Sequence, residues 1–209
     1  MRLGNMPNTA TTDRKSAERT ARQELILQGA LTVFKEKGLE GAKIDEIARA
    51  SGFGKATLYY YFTSKEEIFS ALLLHGWLSL WRELEEIAVG GDSPRATFIS
   101  MLKKIAEMVN TDRPLYEFLF QAPQSYTREE NERSEWKAYQ NRLYKVLMEL
   151  IEQGIQQEEF PQMEPRLIMK AMGGLFHGLV FLGKDRQTIT ENEIEEMLGS
   201  LLGKAPQTH

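Results

Sequence analysis

Three stretches of this chain carry the same device, a hydroxyl residue three places ahead of a glutamate. They are Ser64-Lys-Glu-Glu67, Thr127-Arg-Glu-Glu130 and Thr190-Glu-Asn-Glu193. The hydroxyl accepts from an amide one turn on while the carboxylate reaches back to the chain entering the helix, so each is a capping box and a helix start. Ser93-Pro94 adds a fourth start, an N-cap followed by proline in the first turn. Stops alternate with these starts at Gly38, Gly90-Gly91, Pro123, Phe160-Pro161 and Gly183, with a last one near Gly203. Between them apolar residues recur at three- and four-residue spacing, as in Ile26, Ala30, Val33 and Phe34. No segment alternates with strand periodicity, and no β-rich run is bounded by hairpin turns. The pattern predicts an all-α fold of about nine helices.

Composition narrows the class. Of 209 residues, 42% are hydrophobic and 27% charged, the balance of an ordinary globular protein. With no cysteine there is no disulfide and no thiolate metal site. No apolar run is long enough to span a bilayer, and the polar N-terminus lacks the core of a secretory signal, so a cytoplasmic protein is expected. The net charge of −4 hides an asymmetry. Residues 1–62 hold 10 Lys/Arg against 7 Asp/Glu, a sum of +3, and residues 63–209 hold 16 against 23, a sum of −7. A basic N-terminal segment on an acidic body suits a nucleic-acid reader attached to something else.

Inside this basic segment, a pair of short helices meets at a glycine turn, the helix-turn-helix arrangement. Ile44-Asp-Glu-Ile-Ala-Arg-Ala supplies the first helix and Ser51-Gly-Phe-Gly54 the turn. Lys55-Ala-Thr-Leu-Tyr-Tyr-Tyr-Phe62 supplies the second. Leu58 and Phe62 are four apart and predicted to point inward against Ile47, Ala48 and Phe34. That orientation leaves Lys55, Ala56, Thr57 and Tyr60 outward, with Tyr59 and Tyr61 on the flanks. A short helix rich in phenols and hydroxyls and led by lysine is poor core material. It suits a surface that touches phosphates and base edges in a DNA groove.

From Ile26 to Phe34, through Glu36-Lys-Gly38, then from Ile44 to Phe62 and on to Ser64-Lys-Glu-Glu-Ile68, the chain resembles the tetracycline-repressor-like (TetR) family of bacterial transcription regulators. The resemblance covers about the first third of the chain and rests on several motifs in order. Residues 1–16, rich in Thr, Asn, Arg and Ser with almost no apolar content, read as a disordered arm and 205–209 as a mobile tail, and the resemblance implies a helix-turn-helix DNA-binding domain at 17–64 and a helical ligand-binding and dimerisation domain at 65–204. It also implies that Lys55, Thr57 and Tyr60 face bases or backbone in the major groove. Tyr59 and Tyr61 would brace phosphates or thymine methyl groups. Lys65 would meet a phosphate beside the free amides of its helix. The family often has threonine where Ala42 stands and serine where Gly54 stands; Lys43 would then replace a hydroxyl–phosphate contact with a charged one.

One such helix reads only a few base pairs, so the resemblance implies a two-fold homodimer on a near-palindromic double-stranded operator, with half-sites roughly 34 Å apart. The last two helices are the expected interface, at Met172, Gly174, Leu175, Gly178, Leu179 and Leu198. The alternative for residues 165–182 is burial within the monomer. The large adaptable side chains of the C-terminal region suit a pocket for an apolar or amphipathic small-molecule effector. Its expected lining is Trp77, Trp81, Met101, Phe118 and Trp136, for any single one of which core is the likelier reading, with Glu117, Gln121, Tyr139 and His177 as polar candidates for orienting the effector. The expected function is a ligand-responsive regulator, a repressor released by its effector. No cofactor, metal or membrane partner is expected. An architectural DNA binder without a ligand is the nearest alternative. An enzyme is the more distant one, with only His75, His177 and His209 as histidines and no phosphate loop, His-x-x-x-His pair or nucleophile elbow.

Overall fold

In the computed structural model, which describes residues 9–91, 93–121, 134–181 and 190–201, the apolar spacing is realised as helices throughout. The side chains of residues 9–13, 191, 198, 200 and 201 are likewise outside the description. Among the described residues there are nine α-helices and no strand. They are α1 Thr9–Gly41, α2 Ile44–Ala50, α3 Lys55–Tyr61, α4 Lys65–Gly90, α5 Pro94–Thr111, α6 Arg113–Gln121, α7 Glu135–Gln156, α8 Pro165–Phe181 and α9 Glu191–Leu201. No helix is long and apolar enough to cross a membrane, among the residues described.

Two compact units divide inside α4, the first ending at Leu72 and the second beginning at Leu73, rather than at its start. In the first unit α1 begins at Thr9, so residues 9–16 are helical where an arm was expected; residues 1–8 lie outside the description. Residues 14–20 are all exposed, so the helix there needs no apolar periodicity. Arg, Lys, Ala and Glu are good helix formers, and Arg22 donates to Glu18 at 2.6 Å one turn away. Gly38 breaks α1 as expected, with φ 66° and ψ 179°, a backbone that favours glycine. The core of this unit is Ile26, Ala30, Phe34, Ile47, Leu58, Phe62, Ile68 and Phe69. Phe34 and Phe69 meet edge to face at 5.1 Å. Gly29 is required by close approach, since a Cβ there would lie 2.6 Å from the backbone nitrogen of Ser51. Helix α1 therefore seats directly on the α2–α3 turn.

In the second unit α5 is the central element, packing against α6, α7, α8 and α9. Its buried stripe includes Phe98, Met101, Leu102, Ile105 and Val109. Ser93 caps it by accepting from the amide of Ala96 at 3.1 Å. The buried Arg95 ties its start to distant chain: its guanidinium donates to the carbonyls of Glu159 (3.2 Å) and Gly199 (3.4 Å). Its amide donates to the Glu159 carboxylate at 2.9 Å. Phe160 packs edge to face on Phe98 at 5.7 Å and fills the space above Gly154, where a Cβ would strike its ring. The box at Thr190–Glu193 forms as expected: the Glu193 carboxylate accepts from the Thr190 amide (2.8 Å) and hydroxyl (2.9 Å), and the Glu193 amide donates back. The box expected at Thr127–Glu130 lies outside the described residues, and α7 is described from Glu135.

Candidate nucleic-acid interface

The second helix of the hook is short, and its orientation follows from two residues. Leu58 is 0% exposed and Phe62 is buried, so α3 is pinned by one edge. Burying a leucine and a phenylalanine gives about 1.5–3 kcal/mol each, enough to fix seven residues that could not hold a helix alone. The turn before it is hydrogen-bonded: the amide of Phe53 donates to Ala48 O (2.9 Å), the amide of Gly52 to Arg49 O (3.2 Å), and the Ser51 hydroxyl to Ile47 O (2.8 Å). Gly52 takes φ 74°, the left-handed turn position that glycine tolerates best. Gly54 caps α3 with extended backbone and no side-chain bond, while its carbonyl accepts from the amides of Thr57 (2.9 Å) and Leu58 (3.2 Å).

With that edge buried, the opposite face carries the expected set. Tyr60 is 71% exposed and Tyr59 50%; Lys55 and Ala56 are exposed, and Thr57 and Tyr61 are half-buried. The rings of Tyr60 and Tyr61 meet edge to face at 5.0 Å. The guanidinium of Arg19, from α1, lies 5.8 Å from the centroid of each. Cation–π contact of this kind steadies the tyrosines and brings a fixed positive charge to their side. Sequence reasoning did not place Arg19 in the site, because no local spacing links it to a tyrosine so far along the chain.

Charge on this face is less free than the sequence implies. Lys43 is exposed at the N-cap of α2, and its amide donates to Glu46 at 3.3 Å. Glu46 also accepts from Lys37 at 2.6 Å, and that bond first, then its charge, holds the carboxyl below the usual range. Lys55 is paired with Asp45. Lys65 corrects an expectation. Its ammonium donates to three carbonyls, Leu39 (2.8 Å), Glu40 (3.1 Å) and Ala42 (3.3 Å). An ammonium has three protons, so all are committed. Lys65 staples the start of α4 to the end of α1, satisfying carbonyls at and just past the helix terminus. No proton remains for a phosphate in this arrangement. The Ser64 cap is made, its hydroxyl accepting from the Glu67 amide at 3.1 Å. Glu67 itself reaches one residue further back, to the amide and hydroxyl of Thr63.

The residues expected to line an effector pocket fall in the second unit. Trp77, Trp81, Met101, Phe118 and Trp136 are buried; Glu117, Tyr139 and His177 are half-buried; Gln121 is exposed. Trp77, Phe120, Phe181 and His177 form a continuous ring contact at 5.6, 5.7 and 5.1 Å in turn. The indole N–H groups of Trp77 and Trp136 are buried with no acceptor among the described residues. Trp81 instead faces outward partners: its N–H donates to Glu85 (3.3 Å), and the guanidinium of Arg142 lies 4.2 Å from its ring. Glu117 is paired with Arg113 at 3.4 Å. A concavity of about 430 Å³ opens between the end of α4 and the start of α5, lined by Glu86, Ile87, Gly90, Gly91, Ala96, Thr97 and Ser100. It shares no residue with the expected lining.

Helix α8 is apolar on two opposite faces. Ile168, Met172, Phe176 and Val180 are buried in the second unit, which removes Met172 from the outward set expected of an interface. Leu167 and Leu179 are exposed, as are Ala171, Gly173 and Gly174, while Leu175 and Gly178 are half-buried. Among the described residues, nothing lies within 4 Å of a Cβ built on Gly173, Gly174 or Gly178. The side chain of Leu198 lies outside the described residues.

Comparison with known proteins bears on the same region. Residues 26–72 match the family model described as bacterial regulatory proteins, tetR family. An uncharacterized HTH-type transcriptional regulator of Bacillus subtilis (strain 168), YfiR, is 26% identical over 183 residues, 81% of this chain and 85% of YfiR. The HTH-type negative transcriptional regulator IcaR of the Staphylococcus aureus (strain Newman) biofilm operon icaADBC is 43% identical over 47 residues, 22% of this chain and 25% of IcaR. The crystal structure of AibR in complex with isovaleryl coenzyme A and operator DNA superposes with a TM-score of 0.70 at 21% identity, covering 87% of this chain and 98% of AibR. At that identity the likeness is one of fold. The family match falls on the hook and the helices that pin it, and the fold matches over most of the chain: residues 26–72 are a tetR-family helix-turn-helix segment, set in a chain with the fold of AibR.

Proposed function

We propose that the protein is an effector-released repressor that binds a near-palindromic operator as a homodimer. The observation that carries the DNA reading is the outward face of α3, with Tyr60, Tyr59, Thr57 and Lys55 accessible while Leu58 and Phe62 hold its back. Hydroxyls and phenols give directional contacts to phosphates and base edges, and the lysines Lys43 and Lys55 supply the salt-dependent attraction. IcaR, 43% identical to this chain over 47 residues, is a negative regulator by name, and this supports repression.

The dimer reading rests on α8. Three glycines in one helix cost about 1 kcal/mol each relative to alanine. Among the described residues no neighbour approaches them, so no described contact within the protomer offsets that cost. A second α8 packed against Leu167, Gly174, Gly178 and Leu179 would, since small residues let two helix backbones approach closely. The effector reading rests on the ring series from Trp77 to His177 and on the indole N–H groups of Trp77 and Trp136. A buried donor without an acceptor costs about 1–3 kcal/mol, which an apolar molecule bearing a carbonyl or carboxylate would recover. AibR, a protein of the same fold, has been solved with isovaleryl coenzyme A and operator DNA together, which supports the reading. Effector and operator are coupled only through differential affinity, so whatever factor the effector takes from operator binding, the operator takes from effector binding.

Selection of bound duplexes from a random pool by the full chain tests this reading. It predicts enrichment of a two-fold symmetric sequence, with half-sites about one helical turn apart and affinity falling steeply with salt. Recovery of unsymmetrical or random sequence would overturn the dimeric repressor and favour a ligand-independent architectural binder.

A further inference from the structure

Lys55, the lysine that opens α3, does not stand as a free cation. Its Nζ lies 2.9 Å from Oδ1 of Asp45 in the first turn of α2, and both side chains are more than half exposed. The pair is specific to this acid. Glu46, next along α2, is already taken by Lys37 and by the Lys43 amide, and α3 carries no acid of its own. Asp45 therefore sits on the lysine that the DNA-binding reading needs. It makes no capping bond to α2; Glu46 does that. A phosphate approaching Lys55 meets an ammonium already engaged by a carboxylate that also repels it. An exposed pair of this kind is weak and opens readily, so it tunes binding rather than blocking it.

We infer that Asp45 limits DNA affinity by competing with a DNA phosphate for Lys55. This rests on the DNA-binding reading above and adds a specific regulator to it. Neutralising Asp45 frees one cation for one further phosphate. Counterion release then predicts that the plot of log affinity against log salt steepens by about 0.9. At low salt the gain is about three- to tenfold, shrinking as screening rises.

The test uses the full chain as wild type, Asp45→Asn, Lys55→Ala and the double variant, titrated by fluorescence anisotropy against the selected duplex across a salt series. The expected result is tighter binding and a steeper slope for Asp45→Asn, with the gain abolished when Lys55 is alanine. Asp45→Ser, which keeps a polar first-turn residue, should give the same gain, and thermal melts confirm that each variant folds. Unchanged affinity and slope in Asp45→Asn, or an equal gain in the Lys55→Ala background, would overturn the inference while leaving the DNA-binding reading intact. Failure of the wild-type chain to bind any duplex would instead overturn that reading, and the inference with it.

Discussion

Helices α3 and α8 each bury one edge and expose the other, yet their exposed edges differ in kind. On α3 the outward face is phenol, hydroxyl and ammonium, groups that keep their hydrogen bonds with water until a polar partner replaces them. On α8 it is Leu167, Leu179 and glycines, which have nothing to exchange but area and closeness. The first face suits a charged, hydrated polymer and the second another protein surface. The contrast shows that exposure alone does not mark a functional site; the chemistry of what is exposed names the partner.

The largest effect sharpens the buried side of that contrast. Leu58→Ala should destabilise the first unit by about 2–5 kcal/mol, seen as a lowered denaturant midpoint, because a fully buried anchor leaves a cavity. Next comes α8. Leu179→Asp should weaken self-association by about 2 kcal/mol or more in sedimentation equilibrium while leaving the protomer's own stability within about 0.5 kcal/mol. An unchanged association constant would break the comparison, since α8 would then have an exposed apolar face without a partner. Lys65→Met should cost about 1–3 kcal/mol of stability by thermal melting, because three carbonyls lose their donor. A loss confined to DNA affinity would restore the phosphate role that the structure withdraws. The smallest effect is Gly174→Ala, which should raise helix stability in the dissociated protomer by about 0.5–1 kcal/mol and weaken the dimer. The same change at Gly29 should destabilise, because its Cβ would meet the Ser51 backbone.

What the chain alone reveals follows the range of the interactions. The hook was legible because its signals are local, a glycine turn and an inward pair four apart, and so were the starts of α4 and α9, from the Ser64 and Thr190 caps. Lys65 was not, because its carbonyl partners lie 26, 25 and 23 residues away, and a lysine at a helix start reads equally as a phosphate ligand. Arg95 reaches over 64 and 104 residues and has no local signature at all. The start of α1 was misread because a solvated helix has no apolar stripe to announce it. Met172 shows the limit of face assignment in a helix apolar all round, where only the packed structure separates the inward side from the outward one.

The most direct test is operator affinity of Tyr60→Ala against wild type at matched salt, with thermal melting alongside. The account predicts about a 10- to 100-fold loss of affinity with an unchanged melting temperature, since Tyr60 contributes to the exposed face and little to the core. Equal affinity for the selected duplex would contradict it, because the accessible face of α3 would then not be the surface that meets DNA.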